Sequence, residues 1–228
     1  MHMSDGIVNA PTSVMFAAIA VAGLAVCARR ARAELDERTV PLAGLVAAFI
    51  FAAQLVNFPI LPGVSGHLLG GALAAILVGP ATGALCIAIV LVVQSLLFAD
   101  GGVSALGANI TNMALVGVAA AYAAAVGLAA LLRQARPGLS VRLLGVIAFI
   151  AAVIGTVCAA MAFVVEYSIG GATSSSLVPI AGYMLGTHLL VGIGEGVITA
   201  ATVMAVARSR PDLVYLLRSR ISDPAVAA

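Results

Sequence analysis

The chain has 228 residues, of which 63% are hydrophobic and 9% charged, against about 25% charged in an average soluble domain. Its 11 basic side chains are all arginine, balanced by 9 acids to a net charge of +2, and it has no tryptophan. This composition excludes a soluble monomer. The arginines sit in a few connecting segments, which reads as membrane topology rather than nucleic-acid binding, so no nucleic-acid partner is expected.

The chain opens Met1-His2-Met3-Ser4-Asp5-Gly6, with no basic leader and no small-residue cleavage site before the first apolar run. The terminus is therefore expected to be the mature one, and Met1 to survive because His2 is large. Apolar runs follow near 12–28, 40–57, 65–79, 81–98, 105–132, 142–166 and 178–207. They predict a single all-α integral membrane domain over 1–228, a bundle of about seven spans of roughly 20 residues each. The third run is short and leaves through Gly79-Pro80, which suits a tilted, partly buried helix.

Arg29, Arg30, Arg32 and Arg38 lie between the first two runs. Arg133, Arg136 and Arg142 separate the fifth from the sixth, and Arg208, Arg210, Arg218 and Arg220 follow the last. With seven spans all eleven fall on one side, which the positive-inside rule makes cytoplasmic. The N-terminus is then outside, with 1–11 an extracellular segment, and 208–228 is a cytoplasmic tail. The outward connections are 57–65, 98–105 and 167–177. On the first span, Ala18 and Ala22 form a small-xxx-small pair expected to pack within the chain.

His2 stands one residue from the expected free terminus. The Met1 amino nitrogen, the His2 backbone nitrogen and the His2 imidazole can close two fused chelate rings, three nitrogens in a plane. Such planar nitrogen sets suit Ni(II) or Cu(II), and the peptide nitrogen must lose its proton. Taken alone, His2 reads better as a solvated terminal side chain. A fourth donor on the same side is His67, in Ser65-Gly66-His67-Leu68-Leu69-Gly70-Gly71 at the outer start of the third run, where the alternative is a neutral histidine bonded to a carbonyl.

Asp100, Asn109 and Asn112 bracket the outer ends of the fourth and fifth runs. The two asparagines, three residues apart on one face, are expected to hydrogen-bond the N-terminal segment, and Asp100 is read as a turn residue able to orient a histidine. His188 and Glu195 share a face of the last run with Gly192. They lie about 15 and about 25 Å below its outer end, so both are read as supporting groups, with Glu195 a buried hydrogen-bonding group. Glu166 is read as a solvated helix end. Cys27, Cys86 and Cys158 are far apart and read as small core residues. Phosphate-loop, metalloprotease and serine-hydrolase motifs are all missing, so no catalytic residue and no resident cofactor is expected.

With these residues in view, the chain resembles the CbiM/NikM family, the substrate-specific components of cobalt and nickel energy-coupling-factor transporters. The stretches that carry the resemblance are Met1-His2-x-x-Asp5-Gly6, Asn57-Phe58-Pro59, Ser65 to Gly71, Phe98-Ala99-Asp100-Gly101-Gly102, Gly107-Ala108-Asn109 and His188 to Glu195. Met3-Ser4 departs from the isoleucine or valine and proline frequent in the family. The resemblance implies a metal held by the Met1 amino nitrogen, the His2 backbone and imidazole nitrogens and the His67 imidazole. It further implies a transmembrane coupling subunit and two cytoplasmic ATPase subunits as partners, in a bacterial cytoplasmic membrane. Because the chain ends soon after its last run, it looks more like the cobalt type with a separate small accessory membrane subunit, and nickel is the alternative. A non-metal membrane scaffold, a vitamin-binding subunit and a membrane enzyme are the competing classes.

Overall fold

The computed structural model describes residues 1–37, 39–135, 139–172 and 176–218. Arg38, Arg136, Arg220, part of the 167–177 connection and residues 219–228 of the expected tail lie outside them. Helix α1 (Ala10–Glu34) starts where Asn9 accepts the Thr12 amide hydrogen at 3.0 Å and Pro11 fills the first turn, where its missing N–H costs nothing. Helix α2 (Thr39–Gln54) begins at a reciprocal pair: Thr39 N donates to Asp36 Oδ1 at 2.8 Å, and Asp36 N donates to Thr39 Oγ1 at 2.7 Å.

Strand β1 (His2–Met3) then meets β2 (Phe58–Leu61) and β3 (Val64–Gly66) in an antiparallel sheet of order β1-β3-β2. Sequence periodicity signals no sheet here, because its strands are two to four residues long and β1 is paired only through tertiary structure. After the sheet comes α3 (Gly71–Val78), bounded by Gly70 at φ +82° and Gly79 at φ +97°. These left-handed positions favour glycine, and they break what would otherwise be one long helix into α3 and α4 (Pro80–Leu97). Helix α5 runs through Leu106–Asn109, a π-helical stretch Ile110–Gly117 and Val118–Ala135. Helices α6 (Val141–Gly170), α7 (Leu177–Ser209) and the short α8 (Tyr215–Arg218) complete the described chain.

Among the described residues five helices are long and apolar enough to cross a membrane: α1, α4, α5, α6 and α7. Of the other two expected runs, 40–57 becomes the 16-residue apolar α2. The run 65–79 keeps only eight helical residues, all of them buried, and eight residues rise about 12 Å against a hydrocarbon core of about 30 Å. A helix so short and enclosed serves as an internal wall for the site above it.

Small residues set the packing. A Cβ on Gly107 would stand 2.4 Å from Ala17 Cα, so α1 and α5 touch backbone to backbone. Helix α1 turns Thr12, Phe16 and Ala20 inward, while Ala18 and Ala22 are exposed. The expected in-chain contact of that pair is thus corrected: the buried face follows 12, 16 and 20.

The two ends of the bundle differ. At one end the Glu34 carboxylate accepts from Ala81 N at 3.1 Å and Thr82 N at 2.6 Å, beside Arg218 and Tyr215. The N-terminal segment, the sheet, Asp100 and the end of α6 gather at the other, where Asn9 N donates to Gly170 O at 2.7 Å and Ala172 N to Ile7 O at 3.0 Å. Arg29, Arg30, Arg32, Arg208, Arg210 and Arg218 all belong to the first end, since α1 and α7 run toward it.

Candidate metal site at the chain start

The first three residues are buried, with Met1 and Met3 at 0% and His2 at 2% exposure. A polar chain start enters the bundle at little cost because nearly every backbone group finds a partner. His2 pairs with Ser65 and Met3 with Val64 across the sheet. Ser4 N donates to Gly63 O at 2.9 Å and Gly102 N donates to Met3 O at 2.8 Å. Asn109 closes the ring: its Oδ1 accepts Met3 N at 2.9 Å and its Nδ2 donates to Met3 O at 3.1 Å. Asp5 takes both the Ser104 amide at 2.8 Å and its hydroxyl at 2.6 Å, which lowers the Asp5 carboxyl below its usual value. Room for this threading is made by glycine, since a Cβ on Gly102 would lie 2.2 Å from Asp5 N.

The Met1 amino nitrogen meets His67 Nε2. The other ring nitrogen, Nδ1, lies 2.7 Å from Leu68 O, so it carries the hydrogen and leaves the Nε2 lone pair facing the terminus. This is the tautomer a metal-bound histidine needs. The loop behind it is clamped from α7, where Glu195 Oε2 accepts Leu69 N at 2.7 Å and Oε1 accepts Gly70 N at 3.0 Å. Thr156 on α6 donates to the same carboxylate at 3.2 Å, and Gln54 on α2 donates to Leu69 O at 2.8 Å. Glu195 is therefore the buried hydrogen-bonding group that its position suggested.

His2 and His67 have ring centroids 4.4 Å apart. His2 Nδ1 is 3.1 Å from Asp100 Oδ1, while its Nε2 is buried without a hydrogen-bond partner. Burial holds the His2 imidazole below its ordinary value despite Asp100, which favours a neutral ring N–H donating to the carboxylate. The same hydrogen bond is the largest influence lowering Asp100, whose other oxygen accepts Asn57 Nδ2 at 2.9 Å. Asp100 is thus more than a turn residue. Burial also pushes the Met1 amine well below its usual value, which favours a neutral amino group with a free lone pair.

Two expectations are corrected. Asn112 does not reach the N-terminal segment, because its Nδ2 donates to Glu166 Oε2 at 2.7 Å. Glu166 is no solvated helix end: α6 continues to Gly170 and turns the carboxylate inward, to 1% exposure. His188, at 0% exposure, uses Nδ1 toward Met184 O at 2.8 Å, and its Nε2 has no hydrogen-bond partner. Sequence reasoning missed Gln54 and Gln94, both 0% exposed. Amides inside apolar runs were the available signal. It also passed over Met113, whose sulfur lies 3.5 Å from the Met1 amino nitrogen. The three cysteines are free and do not join the site.

Among the described residues no three His, Cys, Asp or Glu side chains stand together as a metal cluster. What the chain start offers instead is nitrogen: an amino group, a backbone amide and two imidazoles. Several apolar spans around a buried nitrogen-rich cluster make this a multi-pass membrane protein with a candidate metal site, and the comparisons give the class as metal transport. The family model described as the cobalt uptake substrate-specific transmembrane region matches residues 2–213. The chain belongs to this family, CbiM.

A provisionally named fused nickel transport protein, NikMN of Archaeoglobus fulgidus, is 40% identical over 94% of this chain and 68% of its own length. The cobalt transport protein CbiM 2 of Pelobacter propionicus is 34% identical over 91% of each chain. The crystal structure of a transition metal transporter superposes with a TM-score of 0.79 at 26% identity, over 92% of this chain and 93% of that one. All three carry names of metal transport proteins.

Proposed function

We propose that this chain is the substrate-capturing component of an energy-coupling-factor importer, taking Co(II) at the outer face of the membrane. The ion is held by the Met1 amino nitrogen, the His2 backbone and Nδ1 nitrogens, and His67 Nε2. The observation that carries the reading is the meeting of a buried amino terminus with His67 Nε2, beside the His2 ring, at the end of the bundle away from the arginines. Chelation through His2 Nδ1 requires the ring to turn from its present contact with Asp100, which leaves the Nε2–H as the donor for a nearby acid. Ni(II) is the second reading, favoured by the planar nitrogen set and by the name of the 40% identical relative.

Energy comes from partners: a transmembrane coupling subunit and two cytoplasmic ATPase subunits, with a small accessory membrane subunit completing the cobalt type. The basic end faces them in the cytoplasm, and the donor cluster faces outward. The test is metal analysis of the purified full chain. Wild type is expected to retain about one ion per chain, and His2→Ala, His67→Ala and a chain with one alanine added ahead of Met1 to retain none. Retention by the extended chain would rule out the amino-terminal chelate.

A further inference from the structure

We propose that the Met113 thioether is an axial donor to the transported ion, completing the nitrogen plane proposed above, on which this inference rests. Met113 is fully buried on α5, one helical turn beyond Asn109, so the face that grips the Met3 backbone also presents the sulfur to the chain start. Its Sδ stands 3.5 Å from the Met1 amino nitrogen, which also meets His67 Nε2. Two donors at right angles on one ion, a nitrogen at about 2.0 Å and a weak, long thioether at about 2.8 Å, are about 3.4 Å apart. The observed separation is that of neighbouring ligands on a common ion.

The alternative is that the sulfur only accepts an amino hydrogen, and thioethers are weak acceptors. A long axial methionine above nitrogen ligands is an established way of tuning a transition metal. Its consequence here is selectivity. A fifth donor works against strictly four-coordinate planar Ni(II) and suits an ion that accepts five ligands, so Met113 biases the site toward Co(II).

X-ray absorption at the metal edge, on the full chain loaded with Co(II) alone or Ni(II) alone, separates the readings. Wild type is expected to show a nitrogen shell plus one sulfur. Met113→Leu, which nearly conserves volume, is expected to keep the ion at the same stoichiometry, to lose the sulfur signal, and to retain less cobalt relative to nickel in direct competition. Selenomethionine-labelled wild type shows as a heavier scatterer whether any methionine contacts the ion, and Met113→Ile assigns that contact to Met113 should the leucine variant not fold. A shell of nitrogen alone around a retained ion overturns this inference and leaves the parent reading standing. A sulfur signal that survives Met113→Leu also overturns it, since Met1 or Met3 would then be its source. Wild type that retains no ion, or an ion kept by both His2→Ala and His67→Ala, overturns the parent reading and this one together.

Discussion

The chain start is held by few atoms, and their protonation decides whether it stays docked. Burial lowers both the Met1 amine and the His2 imidazole, which favours the neutral form of each in the docked state. Released into water they titrate near about 8 and about 6.5. Docking is therefore complete above about pH 8 and weakens as pH falls through that range toward the lowered values. In the metal-free protein, reaction of the Met1 amine with an acylating reagent, corrected for the free-amine fraction, should show more exposed terminus at pH 6 than at pH 9. The opposite trend would mean that the terminus enters charged. Asn109 is the neutral counterpart of this control, with both amide atoms on the Met3 backbone. Asn109→Leu strands a buried donor and acceptor, at about 1–3 kcal/mol each. It is expected to speed hydrogen exchange at residues 2–4 and to weaken metal retention about 10- to 100-fold, although Asn109 donates nothing to the ion.

At the scale of elements, the site is built by interruption. Gly70 and Gly79 cut a continuous apolar run into a loop, an eight-residue helix and a new helix. The loop is left with two amides, Leu69 and Gly70, that no helix satisfies, and Glu195 reaches across from α7 to accept both. Glu195→Ala leaves those donors stranded, at a cost of about 1–3 kcal/mol for each. Thermal unfolding should drop and metal retention fall with it, because His67 precedes Leu69 by two residues. Full-strength metal binding in a destabilised Glu195→Ala protein would show that the loop keeps its shape unaided. The π-helical stretch of α5 bears Asn112 and Met113, and such segments recur at functional sites.

For the whole molecule, the separation of its ends is the functional statement: a cluster of nitrogen donors at one, the described arginines at the other. The proposed orientation predicts that a membrane-impermeant thiol reagent applied to intact cells labels Val103→Cys and spares Arg210→Cys, two exposed positions at opposite ends. In inverted vesicles the pattern should reverse. Labelling of Arg210→Cys from outside the cell would turn the molecule over and remove the outward capture site.

Composition alone made this a multi-pass membrane protein, because 63% apolar residues in long runs have no soluble solution. His2, His67, Asn109 and Glu195 could also be singled out in advance, since coordinating and ionisable groups are rare in apolar surroundings and so mark themselves, whereas Asp100 read mainly as a turn residue. Their partners were not legible. Asn112 could be placed on a helix face but not against Glu166, and Ala18 and Ala22 could be paired on α1 but not turned outward. Nor do two-residue strands announce themselves, so the sheet that seats Met1 beside His67 was invisible. Periodicity reports which residues share a face of one element. Which faces meet depends on contacts up to more than 100 residues apart, such as Met1 with Met113, and those were decided when the helices packed.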